Sequence, residues 1–245
     1  MSMLAIEVME DPAALAEYAA KAFVESAREA VRSHGRFSVA LSGGSTPLRL
    51  YDLLARDPYV SEVEWTKCHF FWGDERCVPP DHIDSNYGQA YVQLLSKVNV
   101  PEGNIHRIHG ELPAQQAADL YQSEMKRFFG AEPVFDLILL GVGPDGHTAS
   151  LFPGSAALDE TNRWVVGVPH STPPAPLVDR VSLTLPVLNA ASQVVFMVAG
   201  TGKAQVIARI LESPPAQPLL PAQRVDPPQG NVTWLIERAA MGNAD

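Results

Sequence analysis

The stretch Phe135-Asp136-Leu137-Ile138-Leu139-Leu140, followed at once by Gly141-Val142-Gly143-Pro144-Asp145-Gly146-His147-Thr148, decides how this chain reads. The first six residues form a short apolar run of the kind a strand shows when both its faces are buried. A run of that kind belongs to the middle of a parallel sheet. The glycines and the Asp-Gly-His that follow then lie just past the strand's carboxyl end, where open α/β sheets bind ligands.

Outward from this strand the pattern repeats. Residues 4–8, 37–41, 67–72 and 105–108 read as strands, with helical patterns at 13–32, 47–55, 86–95 and 115–129. Asp11-Pro12 is a start signal for the first helix. Further strands are expected at 164–168, 181–185, 194–198 and 232–236, with a helix at 203–211 and a short helical tail. This alternation predicts an α/β fold with a parallel or mostly parallel sheet, helices on both faces, and a single domain over 1–245. The Pro-rich stretches 169–176 and 214–228 cannot be regular helix and read as surface loops, the first as a possible rim or lid.

Composition narrows the function. A net charge of −10 argues against nucleic acid, which needs a clustered positive surface, and requires any anionic substrate to be held by a local positive site. Cys68 and Cys77 do not make a disulfide framework and read as reduced thiols. No segment reaches the roughly 18 apolar residues of a membrane span, and the N-terminus lacks the marks of a secretory signal. A cytoplasmic protein, either a monomer or a weak homo-oligomer, is the expectation.

Four strand ends carry unusual residues. Ser42-Gly43-Gly44-Ser45-Thr46 joins a strand to a helix whose free N–H groups suit a phosphate; the plainer reading is a capped turn. It is neither a Walker A loop nor a dinucleotide fingerprint. Asp74-Glu75-Arg76 places charges at a second strand end, either a salt-bridge cluster or groups for a sugar hydroxyl and a developing oxyanion, with Asn86 close by. Asp145 and His147 put a carboxylate and an imidazole at a third, suited to proton transfer near neutral pH. Lys203 opens a helix, where its charge opposes the dipole unless an anion sits between. His34, His69, His82, His106, His109 and His170 have no metal-site spacing and read as loop, strand or surface positions.

Together these segments resemble the 6-phosphogluconolactonase family. SGGSTP at 42–47, FFWGDERCVP at 70–79, SNYGQA at 85–90, DLILLGVGPDGHTASLFPG at 136–154, RVSLTLPVLN at 180–189 and VAGTGKAQVI at 198–207 carry the resemblance, in order, over nearly the whole chain. It implies a modified Rossmann-like fold and hydrolysis of a phosphorylated sugar lactone without metal or organic cofactor. It implies His147 as the base for water, Asp145 as its orienting group, and Asp74 and Arg76 as further catalytic groups. Arg76 would serve the oxyanion or the phosphate. Ser42, Gly43, Gly44, Ser45, Thr46, Asn86, Arg180 and Lys203 would bind substrate; Arg180 comes from the resemblance alone. The related sugar-phosphate deaminases share the Gly loop and the Asp-Gly-His turn but carry a glutamate before the following proline, where this chain has Phe152. A non-catalytic sugar-phosphate sensor is a rival of another class; it would need the phosphate loop but neither His147 nor Arg76.

Overall fold

The computed structural model describes residues 3–212 and 217–242; residues 213–216, in the second Pro-rich stretch, lie outside the described residues, as do both extreme termini. Among the described residues, six strands form one sheet: β1 (Met3–Met9), β2 (Phe37–Leu41), β3 (Cys68–Trp72), β5 (Leu137–Leu140), β8 (Gln193–Val198) and β9 (Asn231–Glu237). Their order is β1-β9-β8-β5-β2-β3, and every pairing is parallel. The chain reaches β3 on one side of β2 and later β5 on the other. The connections after β2 and β5 therefore diverge, and this switch point opens a crevice at their carboxyl ends.

Alternation along β3 places helices on opposite faces of the sheet. Phe70 points to α1 (Pro12–His34), where Phe23 packs edge-on against Phe37 of β2 and stacks with Phe70. Phe71 points the other way, toward α5 (Ala114–Phe129), and meets Tyr121, Phe128 and Phe129. These rings lie within one continuous hydrophobic core. Asp11 accepts hydrogen bonds from the amides of Ala13 and Ala14, each at 2.8 Å, which fixes the start of α1 ahead of Pro12.

Two expectations differ from the structure. The stretch 105–108 is not a strand: Ile105 makes an isolated bridge to Phe70, and His106 turns inward to stack on Phe71. The strands expected at 164–168 and 181–185 do not extend the parallel sheet. They are β6 (Val165–Val168) and β7 (Arg180–Leu183), which with β4 (Asp74–Arg76) form a separate antiparallel sheet in the order β4-β7-β6. Gly73 is the junction: its amide donates to Leu41 of the large sheet and its carbonyl accepts from Leu183 of the small one. A strand of three charged residues has no hydrophobic period to announce it; long-range pairing makes it a strand.

Candidate active site

The carboxyl ends of β2, β3, β5 and β8 converge on a cleft of about 290 Å³. Ser42, Gly43, Gly44, Asp74, Arg76, Asn86, His147, Arg180 and Lys203 all line it. Larger grooves lie elsewhere; one of about 750 Å³ follows α1 to Gln193 and Asn231, at the amino ends of β8 and β9.

His147 and Asp145 form the most defined pair. Nδ1 of His147 lies 2.6 Å from Oδ1 of Asp145, which also accepts from the His147 amide at 3.2 Å. Burial alone would raise the Asp145 carboxyl, but the hydrogen bond and charge of His147, with backbone amides, hold it below its usual range. An ionised carboxylate only accepts, so Nδ1 carries a proton, and in the neutral imidazole Nε2 then keeps its lone pair. Gly143 is required here: a Cβ on it would lie 2.1 Å from the His147 ring.

The turn is tied down by its own side chains. Thr148 Oγ1 donates to the Gly141 carbonyl at 2.9 Å, and Ser150 Oγ donates to Oδ2 of Asp74 at 2.6 Å. Between them Ala149 is held at φ 46, a left-handed conformation that costs a residue with a Cβ about 1–2 kcal/mol.

The opposite wall is β4. Arg76 and Arg180 are register partners across β4 and β7. Arg180 is only 4% exposed, and the Nε atoms of both guanidiniums are buried without a hydrogen-bond partner. Burial, and the neighbouring charge of Arg76, lower the Arg180 pKa, against the pull of Asp74. Two such cations side by side make physical sense around an anion. On the third side Lys203 precedes α7 (Ala204–Leu211), with its ammonium pKa lowered by burial and raised by Asp145. Lys203 belongs to a short 3₁₀ turn, Thr201–Lys203, one residue ahead of α7.

Gly43 lies directly against Asn86: a Cβ there would sit 1.7 Å from Asn86 Oδ1. Asn86 Nδ2 donates to the Asp74 carbonyl at 2.8 Å. Ser45 and Thr46 open α2 (Ser45–Leu54), yet neither lines the cleft and no side chain caps the helix. Its free amides start instead at Gly44.

Three supports were not among the expected site residues. Glu75, between Asp74 and Arg76, points to the opposite face of β4. Its carboxyl accepts from the amides of Arg76, Asn86 and Tyr87 and from Ser85 Oγ, at 2.7 to 3.0 Å, thereby capping α4 (Asn86–Gln93). Tyr51 and Tyr121 are the other two. The Tyr51 hydroxyl donates to the Ser42 carbonyl and accepts from the Ser42 amide. Tyr121 does the same for Trp72. Burial pushes both phenols up, so each stays protonated and splints one strand end that feeds the cleft. Asp74-Glu75-Arg76 is charged throughout, so no local period marks Glu75, and nothing local marks the tyrosines.

Among the described residues, no group of three or more His, Cys, Asp or Glu side chains is placed to hold a metal ion, and no helix is long and apolar enough to cross a membrane. Cys68 and Cys77 are free thiols.

An α/β fold with a switch-point crevice, a paired imidazole and three cations defines the class: an α/β protein whose cleft can take a small anion beside an imidazole. A family model described as glucosamine-6-phosphate isomerases/6-phosphogluconolactonase matches residues 10–234, and the chain belongs to that family. It is 40% identical over 242 residues to a 6-phosphogluconolactonase of Nostoc sp., covering 96% of each chain. It is 41% identical over 246 residues to that of Rattus norvegicus, covering 96% of this chain and 91% of the relative. The solved structure of 6-phosphogluconolactonase from Trypanosoma brucei superposes with a TM-score of 0.88 at 30% identity, covering the whole of both chains.

Proposed function

We propose that this chain hydrolyses 6-phospho-D-glucono-1,5-lactone to 6-phospho-D-gluconate, the second step of the oxidative pentose phosphate pathway. The observation that carries the reading is the 2.6 Å Asp145–His147 hydrogen bond, which leaves Nε2 basic in a cleft lined by Arg76, Arg180 and Lys203. The relatives that bear this activity in their names support it.

In this reading Nε2 of His147 takes a proton from water as its oxygen bonds to the lactone carbonyl carbon. Asp145 stabilises the imidazolium that forms. The oxyanion then collapses, the ring carbon–oxygen bond breaks, and the departing ring oxygen takes the proton back from Nε2. The product acid loses its own proton to solvent. Arg180, Lys203 and the amides that start at Gly44 hold the phosphate, with Ser42, Ser45 and Thr46 completing the loop. Asn86 and Asp74 meet the sugar hydroxyls. Arg76 has one edge tied to the Asp84 carbonyl at 2.7 Å and its Nε unpaired, so it serves an anion in the cleft.

Phe152 favours lactone hydrolysis over deamination. Its ring centroid lies 4.6 Å from that of His147, and it occupies the chain position at which the related deaminases carry a glutamate. A monomer or weak homo-oligomer and a cytoplasmic location go with the reading.

The test is a pH-stat assay on freshly made phosphorylated lactone against the unphosphorylated lactone. The phosphate should improve kcat/KM by about 100-fold or more, the worth of two or so charge-assisted contacts. Equal rates would remove the role given to the Gly43–Gly44 turn and Lys203, and ammonia released from glucosamine 6-phosphate would move the chain to the deaminases.

A further inference from the structure

The loop between β6 and β7, residues 169–179, forms a strap whose Pro174 and Ala175 line the cleft. Pro169, Pro173, Pro174 and Pro176 have no N–H to donate. Among the described residues, 171–178 make no backbone-to-backbone hydrogen bond. Side chains hold the strap instead. Nε2 of His170 lies 2.6 Å from the Pro174 carbonyl, and Nη2 of Arg180 donates to the Pro176 carbonyl at 2.7 Å. The His170 amide closes the base of the strap by donating to Oδ1 of Asp179 at 3.1 Å. A carbonyl only accepts, so Nε2 of His170 carries the proton.

The same imidazole faces the reacting centre with its ring. His170 is 5% exposed, in contrast to its reading as a loop or surface residue. It stacks on Phe152 with centroids 4.3 Å apart and planes 14° from parallel. Phe152 in turn leans on His147. A continuous run of contacts therefore leads from the strap, through one histidine and one phenylalanine, to the His147 ring.

We propose that His170 is a positioning residue for this site, setting through one ring both the wall beside His147 and the height of Pro174 over the cleft. The proposal rests on the reading of His147 as the base. Asp145 holds His147 at its Nδ1 edge, and Phe152, pressed from behind by His170, packs on the ring and limits the motion that remains. The nitrogen of His170 does a separate job. Without it the strap hangs on Arg180, which also faces the cleft, so strap motion reaches a substrate-binding cation directly.

Two substitutions separate the two jobs. His170→Phe keeps an aromatic ring against Phe152 and loses the donor; it should raise KM about tenfold while kcat changes less. His170→Gln keeps a donor for the Pro174 carbonyl and loses the ring; it should lower kcat about tenfold, the cost of a misplaced base, with less effect on KM. Unchanged kcat and KM in both variants, with only a lower melting temperature, would make His170 a packing residue and overturn the proposal. Amide hydrogen exchange gives a readout independent of turnover. Exchange at the two bonded amides of the strap's base, His170 onto Asp179 Oδ1 and Cys77 onto the Asp179 carbonyl, should be about tenfold faster in His170→Phe than in the wild type; equal rates would remove the strap role. Failure of the wild type to hydrolyse the lactone would sink the assigned function, while the exchange measurement would still decide the role of His170 in holding the strap.

Discussion

The two walls of the cleft are built on different terms. The His147 wall is a turn of consecutive residues, held by bonds that begin and end mostly within 141–148. The Arg76 wall is a strand of three residues that owes its place to partners far away in the chain: Arg180 and Ser182 across β7, Ser150 beyond β5, and the first amides of α4 on Glu75. The turn presents one reactive nitrogen at a defined angle. The strand presents a field, with two guanidiniums on one face and a buried carboxyl on the other. Local bonding suits a group whose orientation decides the rate, and distributed pairing suits charges whose sum holds an anion.

The largest expected effect breaks the turn. His147→Ala removes the base but keeps the Thr148 and Ser150 anchors, so kcat should fall about 10²–10⁴-fold with the melting temperature little changed. Single-turnover kinetics beside thermal unfolding checks both halves. A loss under threefold would take the proton transfer away from His147.

The next effect breaks the strand from behind. Burial raises the Glu75 carboxyl from its ordinary 4.5 to about 7, against the backbone amides of Tyr87, Asn86 and Arg76 and with the help of the Asp74 charge. Between those pH values the folded protein keeps a proton that the unfolded chain has released. Stability from this group is thus full below pH 4.5 and declines as pH rises through 7, by roughly 3 kcal/mol in all. Glu75→Gln should flatten this slope relative to wild type in urea unfolding series from pH 4 to 8. A wild-type slope of opposite sign would mean that the four donors outweigh burial.

These two walls also differ in how far they can be read from the chain alone. The strand 37–41 and the helix at 115–129 show their own periods, and the Gly-x-Gly and Asp-Gly-His turn after the apolar run states its chemistry within eight residues. The small sheet does not. Asp74-Glu75-Arg76 is polar throughout, and its burial comes from β7 and α4, so pattern alone places its charges at a rim. Arg180 looks like an ordinary surface charge until Arg76 is set opposite it. Tyr51 and Tyr121 read as core residues of helices, which they are; that their hydroxyls splint Ser42 and Trp72 depends on tertiary distance.

A smaller change separates phosphate grip from chemistry on the strand wall. Arg180→Met keeps much of the side-chain volume and leaves Arg76 without its cationic partner. Losing one charge-assisted contact should raise KM about 10- to 100-fold, with kcat affected less. If kcat falls instead and KM stays, Arg180 acts in the transition state, and the field of this wall is catalytic as well as binding. Lys203→Ala run beside it places the third cation on the same scale.

The smallest effect returns to the turn. Ala149 keeps φ 46 because Thr148 and Ser150 are bonded on either side of it. Ala149→Gly relieves about 1–2 kcal/mol of left-handed strain and adds about 0.5–1 kcal/mol of unfolded-state entropy, leaving a net gain of about 0.5 kcal/mol in stability. Activity should stay within about twofold, because the anchors and not the strain set the position of His147. A tenfold loss of kcat in a more stable Ala149→Gly would reverse that conclusion: the strained residue, rather than the bonds around it, would then be what aims the imidazole.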